Sequence, residues 1–459
     1  MGLKSPSENR TECHCWDYSF RWTDLHSSAD DLKPLMYRFD SLADECVDRL
    51  NKIPSTDDGP DKRSFNKDLY GLLRDHAEED SKLKELWTEI NTVPEWVDWD
   101  RIQRAQDVFF RYGLPILHAL NFESLLGGMG ATRAVETLSR TGGFGAKVVR
   151  RRLLETLQYL LQVNNSVKGM MPGGDGHVSC VRVRLLHSLV RKRILSLVDQ
   201  NPEYYDIDKY GTPFNDLDCI GTIITLCSLV VWVGLPRQGI YLSQHETEDY
   251  IALWRLVAYY MGTPTDSFES TAKARAMMES LLHSEIDPTE TGKILAKNII
   301  IGLENTAPTF ASKGFMEAMS RLLNGDQLAD ELDIPRPSLY YRLLIWGYCF
   351  WVMTVSYIVP KVDFLDRIMI SLHRRLFYRF ILNEKTGLGK ESRFEFKYVP
   401  TLDRTTHLGQ RRSTHFKRPG IENLAQLGLL GAFIVVATLS LGLVFAARMV
   451  LSQLFVVDV

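Results

Sequence analysis

The sequence predicts an all-α protein in which a large helical domain is followed by a basic linker and one C-terminal transmembrane helix. Apolar residues recur at three- and four-residue spacing over long stretches, without sustained two-residue alternation. In addition, no charged residue lies between Glu422 and Arg448. The 21 residues from 427 to 447 are long enough, at about 1.5 Å per residue, to cross a hydrocarbon core of roughly 30 Å.

The helical periodicity is clearest in seven stretches. They cover residues 30–52, 82–92, 101–112, 146–163, 181–198, 246–261 and 273–282. Clusters of Gly, Pro and Asn between them supply turn chemistry. We therefore divide the chain into an N-terminal helical extension (1–93), a main domain (94–384), the basic linker (385–426), the transmembrane helix (427–447) and a short tail (448–459).

Length and charge limit the plausible classes of function. The chain has 459 residues and a formal net charge of −3, so its charge gives no argument for a nucleic-acid partner. The N-terminus carries charges where a secretory signal peptide needs an apolar run. Residues 385–420 contain nine Lys or Arg and three Asp or Glu. This composition suits a segment near an anionic membrane surface or, equally, a solvated linker.

The charges around the C-terminal helix predict its orientation. The basic residues that precede it are Arg404, Arg411, Arg412, Lys417 and Arg418, whereas the tail carries Arg448 and Asp458. Basic flanks favour the cytosolic side, so we expect a tail-anchored protein with its large domain in the cytosol. The alternative is a buried core helix, although the segment lacks the polar face of a globular helix.

Two further apolar runs, residues 219–235 and 343–359, are marginal in length for membrane-spanning helices. Each contains 17 uncharged residues, which is the lower limit for crossing a membrane. Thr222 and Thr225 interrupt the first run, and Tyr348 and Thr354 interrupt the second. We predict buried core helices for both, with membrane-spanning helices as the alternative.

The most informative segment for chemistry is residues 181–195. At 100° per residue, Val183, Val190 and Ile194 lie on one side of His187. Arg184 and Arg191 lie on its other side. Because leucines occupy much of the remaining circumference, this helix should be buried, and buried arginines need anions opposite them.

Two interpretations of this segment remain open. A haem group would satisfy all of its features, because the iron takes an imidazole, the ring needs apolar walls and the propionates need guanidinium partners. Alternatively, His187 is a core histidine bonded to a carbonyl, and the arginines pair with acidic residues of neighbouring helices.

A second group of polar residues lies on the helix predicted over residues 146–163. Arg152, Glu155 and Thr156 share one face of a helix that is otherwise rich in leucine, which indicates a polar cavity. Ordinary helix pairing is the competing explanation, since Arg151 and Glu155 are four residues apart and Arg152 and Glu155 are three apart. Glu136 and Arg140, four residues apart, are equally compatible with a surface pair.

Between about residues 94 and 357, the order and spacing of several blocks resemble a known family. This is the haem-dependent family of bacterial latex-clearing (rubber) oxygenases and MpaB-like fungal oxygenases bound to the endoplasmic reticulum. The blocks are Val97-Asp98-Trp99-Asp100-Arg101-Ile102, Tyr112-Gly113-Leu114-Pro115, Phe122-Glu123-Ser124-Leu125, Thr141-Gly142, Arg152-x-x-Glu155-Thr156, Arg182-Val183-Arg184-x-x-His187, Asn215-x-x-Asp218 and Glu246-x-Glu248-Asp249-Tyr250.

The resemblance implies roles for individual residues. His187 matches the family's proximal ligand of haem iron, and the helix's two arginines match residues that support the haem. Arg152 and Thr156 match a polar pair on the distal side, Glu136 matches an acidic residue proposed as a base, and Thr222 matches a family threonine. Glu155 departs from the rubber oxygenases, which have a lysine there, and places the chain nearer the fungal branch.

The same resemblance implies the fold and the chemistry. The main domain would be a globin-like helical haem domain that holds haem b and uses dioxygen as co-substrate. It would oxidatively cleave a C=C bond of an isoprenoid or other apolar substrate in secondary metabolism, at the endoplasmic reticulum membrane. The alternative is a non-catalytic, tail-anchored helical protein that binds prenyl lipids or a protein partner.

Overall fold

The computed structural model describes residues 12–54, 67–395, 399–405, 407–410 and 420–454. The strands are β1 (Glu12–Cys15) and β2 (Tyr18–Arg21). The α-helices are α1 (Ala29–Leu32), α2 (Ser41–Lys52), α3 (Leu69–His76), α4 (Ser81–Asn91), α5 (Trp99–Arg111), α6 (Gly113–His118), α7 (Thr132–Arg140), α8 (Val149–Asn165), α9 (Val167–Met170), α10 (Asp175–Gln200), α11 (Ile207–Tyr210), α12 (Asp216–Leu226), α13 (Leu235–Arg237), α14 (Gln244–Tyr260), α15 (Thr271–Ser284), α16 (Glu290–Leu303), α17 (Lys313–Glu331), α18 (Leu339–Ile358), α19 (Asp363–Ile381) and α20 (Ile421–Leu454).

Shorter helical segments link several of these helices. The segments Ala119–Leu126 and Val230–Gly234 are π-helical. The 3₁₀ segments are Lys33–Met36, Gly127–Gly130, Pro202–Tyr204, Asp266–Phe268 and Val359–Lys361. The all-α prediction is confirmed, and the described strands form one antiparallel hairpin with Glu12 opposite Arg21.

Side-chain caps explain where several helices begin. Asp98 accepts hydrogen bonds from the backbone amides of residues 100 and 101 at the start of α5. Ser243 and Glu246 form a capping box at the start of α14. The single helix predicted over residues 30–52 is wrong in detail, because Pro34 starts a 3₁₀ turn and Asp40 caps a new helix, α2.

The N-terminal extension packs directly on the main domain. Cys46, Val47 and Leu50 of α2 form a satellite apolar cluster with α3 and α4. This cluster closes against Val181 and Leu185 of α10. The extension therefore covers one side of the central helix α10, whose other side faces the interior of the main domain.

The two marginal apolar runs have different environments. The helical segment Asp216–Arg237 lies inside the domain, and 56% of its most apolar window is buried. In the segment Leu339–Lys361 the buried share is 33%. Length and composition would allow either segment to cross a membrane. The core-helix prediction therefore describes the first run, whereas α18 exposes much of its surface.

The C-terminal helix begins earlier than expected and projects from the domain. Helix α20 starts at Ile421, six residues before 427, and the most apolar window of Ile421–Met449 has no buried residue. Its first turns pack on α18, where a Cβ added to Gly347 would lie 2.2 Å from the Ala425 carbonyl oxygen. Glycine thus permits close approach of the two helices.

Part of the predicted basic linker contacts the main domain. The backbone amide of Ser392 donates to Gln158 Oε1 at 2.7 Å, and Arg404 Nη2 donates to the Tyr204 carbonyl oxygen at 2.5 Å. The basic residues Arg411, Arg412, Lys417 and Arg418, on which the predicted orientation partly depends, lie outside the described residues.

Candidate active site

A large cavity of about 1120 Å³ lies in the middle of the main domain. Its walls include parts of α7, α8, α10, α12, α15, α17 and α19, the π-helical segment Ala119–Leu126, and the start of α20. Most lining side chains are apolar, among them Leu157, Leu160, Val190, Ile223 and Leu229. The volume exceeds the ~300–1,000 Å³ of most small-molecule pockets, so the cavity has room for more than one ligand.

His187 lies on the cavity wall, midway along α10. Its ring stacks on Phe214, with the ring centroids 4.4 Å apart and the planes 20° from parallel. Burial, together with the nearby cations Arg152 and Arg191, lowers the pKa of His187 to about 3. The imidazole is therefore neutral near pH 7, and neither ring nitrogen has a hydrogen-bond partner among the described residues. A neutral imidazole of this kind can ligate a metal.

Two other buried histidines show what a structural histidine looks like in this fold. His177 uses both ring nitrogens, one at 3.1 Å from the Gly173 amide and the other at 2.7 Å from the Ile90 carbonyl oxygen. His118 lines the cavity, but its Nδ1 lies 2.5 Å from the hydroxyl of Tyr348. His187 therefore differs from both, because its ring faces the cavity with its nitrogens unengaged within the described chain.

Three more predicted site residues, Arg152, Thr156 and Thr222, also line the cavity. The Thr156 hydroxyl donates to the Arg152 carbonyl oxygen at 3.2 Å, and the Thr222 hydroxyl donates to the Asp218 carbonyl oxygen at 2.8 Å. The structure thus brings Arg152, Thr156, His187 and Thr222 around one space, as a shared site requires.

Glu155 also lines the cavity, but its carboxylate has partners elsewhere. Oε1 accepts from the Ser392 hydroxyl at 3.3 Å and lies 3.4 Å from Arg151 Nε. The ordinary i, i+4 pairing considered above therefore describes Glu155 with Arg151, while Arg152 takes part in the cavity wall.

The two arginines beside His187 on α10 lie outside the cavity lining. Arg184 binds Asp40 at 2.5 Å and Glu89 at 2.7 Å. Arg191 binds Asp44 at 2.5 Å. Pairing with acidic residues of neighbouring elements, the alternative given above, is the arrangement found. These guanidinium groups hold α10 to the N-terminal extension and make no direct contribution to the cavity wall.

Glu136 is likewise absent from the cavity lining. Its Oε2 lies 2.8 Å from Arg140 Nη1 and 3.7 Å from Arg404 Nη1. Arg140 is only 2% exposed, so this ion pair is buried and the surface-pair interpretation is wrong. The role of Glu136 as a base stays a prediction from the resemblance.

Glu123 is a cavity residue to which the sequence reasoning assigned no role. Neither carboxyl oxygen has a hydrogen-bond partner in the described structure. Burial raises the pKa of Glu123 well above its ordinary value, against the opposing effect of Arg237. A Cβ added to Gly234 would lie 2.3 Å from Oε2, so the two π-helical segments meet at this carboxyl group. Such π-helical segments are frequent at functional sites.

The residues of the cavity fit a haem group. His187 offers a neutral ring nitrogen, the walls are apolar, and Arg150, Arg152 and Arg379 line the cavity as cationic side chains. An apolar space with one imidazole and several guanidinium groups matches the needs of iron, porphyrin ring and propionates. The arginines that fit this purpose are cavity residues outside α10.

Comparisons with known proteins identify a matching family and a similar curated protein. Residues 117–354 match the family described as ER-bound oxygenase mpaB/B'/Rubber oxygenase, catalytic domain. Aurantioclavine synthase cnsA of Penicillium expansum is 55% identical over 69 residues, which cover 14% of this chain and 15% of that protein. The chain thus matches about a seventh of the length of this curated relative.

A solved structure is similar in fold. The structure of Latex Clearing Protein LCP in the closed state superimposes with a TM-score of 0.54 at 17% sequence identity. The match covers 76% of this chain and 92% of that protein. Because the family match spans more than half of the chain, the chain belongs to the ER-bound oxygenase mpaB/B'/rubber oxygenase family, a family of oxygenase enzymes.

Proposed function

We propose that this chain is a membrane-anchored, haem b-dependent oxygenase in which His187 would hold the haem iron. The observation that carries the proposal is the neutral imidazole of His187, which faces a cavity of about 1120 Å³ without a hydrogen-bond partner in the described chain. When bound, haem would supply the iron that activates dioxygen.

The protein's own residues would bind, orient and shield the reactants. Leu157, Val190 and Leu229 offer an apolar surface that excludes water from an alkene. Arg150 and Arg379 line the cavity and would pair with the propionates. Arg152 and Thr156 supply polar groups on α8, the helix assigned to the distal side by resemblance.

The proposed reaction is cleavage of a C=C bond in an isoprenoid or other apolar chain of secondary metabolism. One dioxygen is consumed, the double bond breaks, and each of its two carbons becomes a carbonyl carbon, so no other oxidant is needed. Glu136 is the base that the resemblance implies, although its carboxylate pairs with Arg140 outside the cavity lining. The cavity volume and apolar walls support a long apolar substrate.

The proposed location is the endoplasmic reticulum membrane, with α20 as a tail anchor and the large domain in the cytosol. The exposed apolar surface of Ile421–Met449 and the family description support membrane anchoring. A membrane location suits the reaction, because a water-insoluble isoprenoid dissolves in the bilayer.

Absorption spectra of the full chain, expressed with adequate haem and purified in detergent, test the cofactor. We expect a Soret band in the parent chain and in His118→Ala, and its loss or severe reduction in His187→Ala. His118 is the matched control because it lines the same cavity but is bonded to Tyr348. A Soret band that survives in His187→Ala and disappears in His118→Ala would reassign the ligand, and no band in any variant would refute the haem proposal.

A further inference from the structure

Helix α19 has two faces with different partners. Its inner face is fixed to α5, since Asp366 accepts from Arg111 at 2.7 and 2.8 Å and His373 Nδ1 lies 2.7 Å from the Phe110 carbonyl oxygen. Its outer face consists of Phe364, Leu365, Ile368, Leu372 and Leu376. These five side chains are exposed, from 71% for Phe364 to 42% for Leu365. A row of exposed apolar side chains on a helix that is already packed indicates an unfilled interface.

Basic side chains flank the outer face. Lys361, Arg367, Arg375 and Arg379 are exposed, and none forms an ion pair within the described part of the chain. The exposed acid of α19 is Asp363, whereas Asp366 is bound to Arg111. Exposed apolar residues bordered by Arg and Lys are the signature of a helix that lies in the interface of an anionic membrane.

The outer face is connected to the proposed anchor. Helix α18 packs along the first turns of α20, with Gly347 against Ala425 and Gly428 against Trp351. From its end, the exposed residues Tyr357, Ile358 and Val362 lead through the 3₁₀ segment Val359–Lys361 into α19. An exposed apolar stretch therefore joins α18, which packs on the proposed anchor, to the outer face of α19.

Residues of α19 and of α20 both line the cavity. Leu376, Arg379 and Asn383, at the C-terminal end of α19, line the cavity and are exposed to the outside. Gly420, Ile421 and Leu424, at the start of α20, also line it. Leu424 precedes the first residue of the predicted span by three positions, or about 4.5 Å of helix. The cavity lining thus comes within one helical turn of the span.

From these observations we propose that α19 lies in the surface plane of an anionic bilayer. Its outer face would contact headgroups and upper acyl chains, and apolar compounds would pass from the bilayer directly into the cavity through a mouth between α19 and α20. The proposal rests on the membrane anchoring proposed above and is independent of the cofactor.

Lipid contact is tested with the full chain in vesicles of phosphatidylcholine and phosphatidylserine. A cysteine with an environment-sensitive fluorophore replaces Leu372, and the control replaces Leu25, which is 50% exposed near the N-terminus. The parent chain, treated with the same fluorophore, gives the background signal of the native cysteines, which is subtracted. We expect nitroxide lipids to quench the Leu372 label several-fold more than the Leu25 label. Equal quenching of the Leu372 and Leu25 labels would overturn the docking proposal. It would also be overturned if the Leu372 label were shielded from water without lipid, because a second copy of the chain would then cover it.

Charge reversal tests the contribution of the basic flank. In Arg375→Glu we expect weaker quenching of the Leu372 label in vesicles that contain phosphatidylserine, with a smaller change in phosphatidylcholine alone. The matched control is Arg21→Glu, on the N-terminal hairpin away from α19. An equal effect of the two reversals would contradict a specific role for α19.

The route into the cavity is tested with radiolabelled squalene, an apolar isoprenoid, preloaded into the vesicles. We expect Leu376→Glu at the mouth to slow its transfer to the chain several-fold, and Leu25→Glu to leave the rate unchanged. Equal transfer rates would overturn the proposed route. None of these measurements needs haem, so a missing Soret band would refute the proposed function and leave this inference standing.

Discussion

At the scale of residues, the cavity combines uncharged histidines with a buried carboxyl group. His187 and His118 both have a pKa lowered to about 3 by burial, and burial raises the pKa of Glu123. Both histidines are therefore uncharged near neutral pH, and Glu123 keeps its proton to a higher pH than an exposed glutamate does. Neutral histidines among mostly apolar walls suit an apolar substrate, and the neutral state leaves a His187 ring nitrogen free of a competing proton.

Glu123→Gln should stabilise the chain increasingly as the pH rises. Because the folded pKa of this acid is raised, the unfolded state ionises first, and the parent loses stability as pH rises above the ordinary glutamate pKa of about 4.5. Glutamine keeps the neutral shape without that loss. Thermal unfolding of both chains in detergent should show similar midpoints at pH 4.5 and a higher midpoint for the variant at pH 8. If the midpoints of the parent and the variant differed by the same amount at both pH values, a raised pKa for the buried Glu123 would be contradicted.

Arg191→Met should destabilise the fold by about 3–5 kcal/mol, because it leaves Asp44 without its buried partner. Lys192→Met is the matched control, since the neighbouring Lys192–Asp48 pair joins the same two helices but is largely exposed. The control should change stability by less than about 1 kcal/mol. Denaturant unfolding of both variants measures the difference, and similar losses would argue against a buried bridge between α10 and α2.

At the scale of elements, close helix contacts depend on single glycines. Gly347→Ala places a Cβ 2.2 Å from the Ala425 carbonyl oxygen and should push α18 from α20, at a cost of roughly 1–3 kcal/mol. Gly442→Ala, on the same α20, meets no atom within 4 Å and is the control. Limited proteolysis in detergent should cleave the α18–α20 region faster in Gly347→Ala alone. Equal cleavage of the two variants would show that this contact does not fasten the anchor.

At the scale of the whole molecule, α20 has two separable parts. Its first turns pack on the domain, where Glu422 accepts from the Ser312 amide at 3.0 Å, and the rest projects outward. A chain that stops after Leu430 should therefore keep the packed turns and lose the span. We expect carbonate to extract this chain from membranes and to leave the full chain behind. Retention of both chains after carbonate would show that another segment, with α18 the first candidate, crosses the bilayer.

The features predictable from sequence were those set by local periodicity and by residue type. Six of the seven helical stretches, the apolar span and the placing of His187, Arg152 and Thr156 on cavity-facing helices follow from spacing along a helix. Family membership followed from blocks in fixed order, and it is confirmed by the match over residues 117–354. These features can be predicted because the helical repeat fixes the relative directions of side chains that lie within a few residues of each other.

Tertiary structure decided which charges meet. Arg184 and Arg191 share the His187 helix, yet their partners Asp40, Glu89 and Asp44 come from the N-terminal extension about 95 to 150 residues earlier. In the same way, Glu123 meets Gly234 only because two distant π-helical segments pack together. Helical periodicity gives the direction of a side chain from its own helix but not the partner across the interface, because that partner depends on how separate helices pack.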